Sequence, residues 1–195
     1  MKVLGGFGIL GGFALIVAFV PSIPWSGDVF NLRLVLFNIG AISIAIALHR
    51  RHAGAWPRRA VAATVAVIAA NTWYALLVIG VVAQPGDPAP GVYGPWFAVA
   101  ATALWLADAF LGIVIWRLGA ASRLAGAALA VGSILAWGGL DRLGLVSGDL
   151  AAIFAPLSQL GILLNGIAWI ALGVDAALRR PAGIVDDRAL AAEAG

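Results

Sequence analysis

The sequence predicts an all-α polytopic integral membrane protein: one bundle of six transmembrane helices over residues 1–180, both termini cytoplasmic, and a cytoplasmic tail over 181–195. Three observations predict it. Hydrophobic residues make up 63% of the 195-residue chain and charged residues only 11%, well outside the composition of soluble domains. The apolar residues gather into six runs of roughly bilayer-spanning length. Arginine and lysine fall between those runs with a strong bias to alternate loops, as the positive-inside rule requires.

The same composition narrows the function classes. A net charge of +3 suits nucleic acid only if the basic residues form a continuous face. Here they sit in short loops, so no nucleic-acid partner is expected. The absence of cysteine removes disulfides, thiolate metal sites and iron–sulfur clusters.

The first span is expected at about residues 3–20, behind Lys2. A signal peptide has a similar shape, but this run is long and Ala18-Phe19-Val20-Pro21 offers no small-x-small cleavage site. It contains Gly8-x-x-x-Gly12, a spacing that lets helices approach closely. The second span covers about 30–48, with Arg33 one turn inside and able to snorkel outward. His49, Arg50, Arg51, His52, Arg58 and Arg59 then make the most basic loop, before a third span at 61–83. Residues 84–95 hold Pro85, Pro88 and Pro90 and break any helix.

The fourth span, 96–116, has a tryptophan at each end and Asp108 near its middle. Arg117 and Arg123 bracket a short loop before the fifth span at 124–140. The last run, 149–178, would make a helix of about 45 Å, long for a bilayer. Pro156 suits a first helical position, so the expectation is a surface segment at 149–155 and a sixth span at 156–178. Trp25, Trp96 and Trp137 at one set of ends, with Trp56 and Trp116 at the other, fit interfacial belts.

Four spans carry a polar side chain at similar depth: Asn38, Asn71, Asp108 and Asn165. Hydrocarbon offers them no partners, so they should face one another or a wet cavity. Helical spacing puts Trp105 and Thr102 on the face of Asp108, Tyr74 and Thr64 on that of Asn71, and Ser158 and Trp169 on that of Asn165. Aromatic walls with a few convergent polar groups describe a small-molecule site. For each asparagine alone, an interhelical hydrogen bond worth about 0.6–2 kcal/mol accounts for the residue. Asp108 is different, because an asparagine would do that job without the ionisation problem. No arginine, lysine or histidine lies at its depth. Asp108 must therefore be protonated, hydrogen-bonded by Asn71, Asn165 or Tyr74, or neutralised by a bound cation.

The remaining motifs are negative. His49 and His52 stand one turn apart but among arginines that repel cations, so no metal and no cofactor is expected. Asp175 and Arg179 have the spacing of an ordinary helix pair. No nucleotide-binding loop, nucleophile elbow or H-E-x-x-H motif is present, which leaves little basis for an enzyme.

The leading expectation is a bacterial cytoplasmic-membrane protein that binds or transports a small molecule or cation, coupled to protons through Asp108. Asn71, Asn165 and Asn38 are its polar partners, with Tyr74, Trp105 and Trp169 as walls. The alternative is a structural or accessory subunit, or a homo-oligomer, that packs through the glycines of the first span and through Gly126, Ala130 and Ser133 of the fifth.

Overall fold

The computed structural model describes residues 1–18, 27–52, 56–82, 94–137 and 149–178. Among them every element is a helix: α1 (Lys2–Ala18), α2 (Gly27–Arg51), α3 (Arg58–Val82), α4 (Gly94–Leu118), α5 (Arg123–Trp137) and α6 (Asp149–Leu178). Four contain a stretch long and apolar enough to cross a membrane: Leu32–Arg51, Arg58–Val81, Pro95–Leu118 and Ala155–Leu178. α1 has 17 residues and α5 has 15, both apolar, so they reach about 25 and 22 Å. The ends expected for the first and fifth spans, the loop over 84–93 and the tail over 181–195 lie outside the described residues.

The helix ends follow local chemistry. α4 stops at Leu118 because Gly119 turns left-handed, with φ 62°, and donates its N–H to the Ile115 carbonyl at 2.9 Å. Ser122 then caps α5, its hydroxyl accepting the Ala125 N–H at 3.4 Å. Pro57, just ahead of α3, offers its carbonyl to the N–H of Ala60 at 2.8 Å. α6 departs from expectation. It begins at Asp149 and runs unbroken through Pro156. The proline removes one N–H near the N-terminal end of a long helix, a loss that apolar helices accommodate when neighbours support them.

Each helix packs on its neighbours in sequence, and α6 returns to α1, so the six form a closed ring. Adjacent helices run antiparallel, as Gly5 against Ala177, Gly11 against Gly40 and Gly112 against Ala130 show. Both described chain ends therefore lie at one end of the bundle. Arg50, Arg51, Arg58, Arg59, Arg117 and Arg123 lie at that same end.

Glycine decides how close the helices come. A Cβ on Gly12 would fall 2.6 Å from the Gly166 carbonyl oxygen of α6, and one on Gly112 would fall 2.5 Å from the Ala130 nitrogen of α5. The Gly8-x-x-x-Gly12 spacing does not act as one seam. Gly8 meets Ile44 of α2 while Gly12 meets α6. Gly126 and Ala130 are used up against α4. Gly5, Gly8, Gly11 and Gly12 of α1 and Gly126 of α5 are thus covered by the chain itself, while Gly6 has open space around it.

α3 is held differently. Its Gly80 has open space around it, and only 28% of its apolar window is buried, against 56% for the windows of α2, α4 and α6. Alanines form its seam with α4, and an open apolar groove runs along that seam between Ala66, Ala70, Trp73, Ala103, Ala107 and Phe110. Among the described residues a few polar side chains are enclosed in an apolar core, and the surface is also apolar. Asn38, Asn71, Asp108, Ser133 and Asn165 are fully buried, while Leu10, Val65, Leu76, Val99, Leu106, Ile134 and Ile167 are exposed.

Candidate functional site

The four residues singled out by depth are all sealed inside the ring. Measured from the arginine-rich end, Asn38, Asn71 and Asn165 each stand about 20 Å along their helices, and Asp108 about 15 Å. The Asp108 carboxylate Oδ2 accepts the indole N–H of Trp169 at 3.4 Å. α4 and α6 share no close backbone contact, so this bond is made by long side chains across the interior. Asn71 and Asn165 are the other polar side chains near enough to act on the carboxyl. Neither completes a hydrogen bond to it, and Asp108 Oδ1 has no partner.

Each asparagine is oriented by its nitrogen. Asn71 donates from Nδ2 to the Val67 carbonyl at 2.9 Å, and Asn38 donates to the Leu34 carbonyl one turn back. Asn165 donates to Ser133 Oγ at 2.8 Å, and Ser133 in turn donates to the Leu129 carbonyl at 2.7 Å. The hydroxyl hydrogen of Ser133 is committed to that carbonyl, so its oxygen can only accept from Asn165. The consequence is the same three times. The amide nitrogen has one partner, and Oδ1 of Asn38, Asn71 and Asn165 is buried with no protein partner.

On the side of this layer away from the arginines lies a cavity of about 40 Å³, lined by Leu15, Leu34, Phe37, Tyr74, Ala101, Leu104 and Trp105. Phe37 adjoins Asn38 in sequence, Tyr74 follows Asn71 by one turn, and Leu104 precedes Asp108 by one turn. Phe37 and Trp105 meet with ring centroids 6.4 Å apart, and Tyr74 sets its edge toward Phe97 at 5.8 Å. The cavity holds one or a few water-sized groups. It is not large enough for an organic solute of metabolite size.

Among known protein families, curated proteins and solved structures, none matches this chain.

The structure brings Asp108, Asn71, Asn165 and Trp169 together and places Tyr74 and Trp105 one turn away. Some expectations need correction. The direct partner of Asp108 is Trp169, expected only as a wall, while Tyr74 belongs to the cavity. Thr102 stands apart, its hydroxyl accepting the Trp137 indole at 3.4 Å, and Thr64 bonds back to the Ala60 carbonyl. Ser133, expected on an external contact face, instead anchors Asn165. Its position opposite Asn165 depends on α5 lying beside α6, which no single-helix periodicity reveals.

A second polar cluster closes the arginine-rich end. Arg51 of α2 pairs with Asp175 of α6 at 2.9 Å, with side chains only 6% and 8% exposed. The Arg179 expected beside Asp175 lies outside the described residues. His52 meets the Ala120 carbonyl at 2.9 Å and stacks on Trp56 with centroids 5.0 Å apart. Trp56 is therefore buried under the basic loop, not spread on an interfacial belt, whereas Trp96 and Trp116 are exposed. Among the described residues no cluster of histidine, aspartate or glutamate is suited to a metal.

Proposed function

We propose that this chain is a six-span protein of a cell membrane, with the Asp108 layer at mid-depth binding a small molecule or ion whose passage or capture is coupled to a proton. The apolar surface supports the membrane setting, since exposed leucine, isoleucine and valine suit lipid. α5 is short: its last residue, Trp137, meets Thr102, about 12 Å inside the outer end of α4.

The observation that carries the functional reading is a single carboxyl group, wholly buried, with one oxygen unpartnered and no arginine, lysine or histidine at its level. An ionisable residue in that position is costly and marks a pathway or a ligand site. A purely structural role needs only an amide. The alternative reading, an accessory subunit, has less support, because most small residues named for its contact surfaces pack inside the bundle.

The test compares two substitutions in the purified protein. Asp108→Asn keeps size and hydrogen bonding and loses only the exchangeable proton. Infrared difference spectra between alkaline and acidic buffer should show a carboxyl band in the wild type that vanishes in this variant, with folding retained. Asp108→Leu should instead lower stability by about 1–3 kcal/mol, because Trp169 loses its acceptor. A carboxyl that never exchanges its proton between those buffers would leave Asp108 a structural residue.

A further inference from the structure

The layer around Asp108 is one-sided in its hydrogen-bond chemistry. Four buried oxygens, Oδ1 of Asn38, Asn71, Asp108 and Asn165, have no protein donor. Each amide commits one of its two N–H hydrogens, to Leu34, Val67 and Ser133 in turn. The indole of Trp169 is committed to the other oxygen of Asp108. A protonated Asp108 carries one O–H and so satisfies one acceptor. That settles the carboxyl and a single amide and leaves the others. What completes such a set must be donor-rich or positively charged.

Charge and size narrow the choice. The Asp108 carboxylate and the other unpartnered oxygens repel anions. Calcium takes six to eight oxygens and usually several carboxylates, and this layer has one. One negative charge balances one positive charge, the cavity of about 40 Å³ one turn away admits a water-sized group, and the aromatic side chains of Tyr74 and Trp105 line it. We propose that the Asp108 layer binds a small monovalent cation, an alkali ion or ammonium, through the side-chain oxygens of Asp108, Asn71 and Asn165. The proposal rests on the functional reading above and specifies its ligand. Binding takes the place of a proton: the Asp108 O–H bond breaks, the proton passes to water, and the net charge of the layer is unchanged. The polar groups beside Asp108 from α3 and α6 are Asn71, Asn165 and Trp169, none of them titratable. The charged Arg51–Asp175 pair lies about 15 Å further along α6 than Asn165.

The full chain, purified in detergent, is melted in lithium, sodium, potassium and ammonium chloride at constant ionic strength made up with N-methyl-D-glucamine chloride, a cation too large for the cavity. At least one small cation should raise Tm saturably, by about 3–5 °C at ten times its Kd. The rise should shrink as pH falls and vanish in Asp108→Asn. Because Asp108→Asn could unfold for other reasons, Asn71→Val supplies a second reading, with apparent affinity reduced at least tenfold. Whichever small cation acts identifies the ligand as alkali ion or ammonium. Equal Tm in all salts, or a rise kept in Asp108→Asn, overturns the proposal and leaves buried water as the missing donor. If Asp108 still exchanges its proton in the infrared titration under that outcome, the titrating site stands without the cation. If it does not, both fail.

Discussion

Arg51 and Asp175 show what a buried charge demands of its surroundings. The pair joins the last turn of α2 to α6 with little water around either group, so removing Asp175 takes the acid partner from a buried Arg51. Asp175→Ala should destabilise the protein by about 3–5 kcal/mol in a denaturant titration, whereas Arg51→Met combined with Asp175→Leu should lose much less than either single change. Equal losses from the single and double variants would mean that the pair contributes little beyond packing. The polar layer could be read residue by residue in the sequence, because a lone Asn or Asp inside an apolar run is conspicuous and the helical rise gives its depth. The partners of those residues could not. Trp169 reaches Asp108 across the ring and Ser133 reaches Asn165 from the next helix, and both depend on which helices become neighbours.

For the helices, the deciding variable is how closely backbones approach. The α1–α6 and α4–α5 pairs meet at glycines whose added Cβ would strike main-chain atoms of the facing helix at 2.5–2.8 Å, as at Gly12, Gly112 and Gly173. A methyl group there cannot be absorbed by a rotamer change. Gly12→Ala and Gly112→Ala should each cost about 1–3 kcal/mol, while Gly80→Ala, which meets nothing within 4 Å, should be neutral or slightly stabilising through helix propensity. Thermal melts of the three variants side by side test this, and a Gly112→Ala protein as stable as Gly80→Ala would contradict the close approach. The six runs themselves were evident from hydropathy. The assignment of glycines to particular partners was not, since a chain with 25 glycines offers many spacings. The continuity of α6 through Pro156 was missed because the proline rule describes a solitary helix and takes no account of support from neighbours.

At the scale of the molecule, everything rests on whether all six helices cross the membrane. Four are long and apolar enough by themselves, and α1 and α5 are shorter. The ring nevertheless places α1 between α2 and α6, and α5 between α4 and α6, packed along their lengths. The two counts of spans make opposite statements about one pair of positions. Between Asp87 and Arg188 the chain crosses three times if α4, α5 and α6 all span, and twice if α5 does not. A compartment-sensitive reporter inserted at Asp87 and another fused after Arg188 therefore decide in living cells whether α5 spans with α4 and α6. The six-span arrangement predicts that the Asp87 reporter is active only outside and the Arg188 reporter only in the cytoplasm. Activity of both on the same side would contradict it, and would remove Asp108 from the middle of a closed membrane ring.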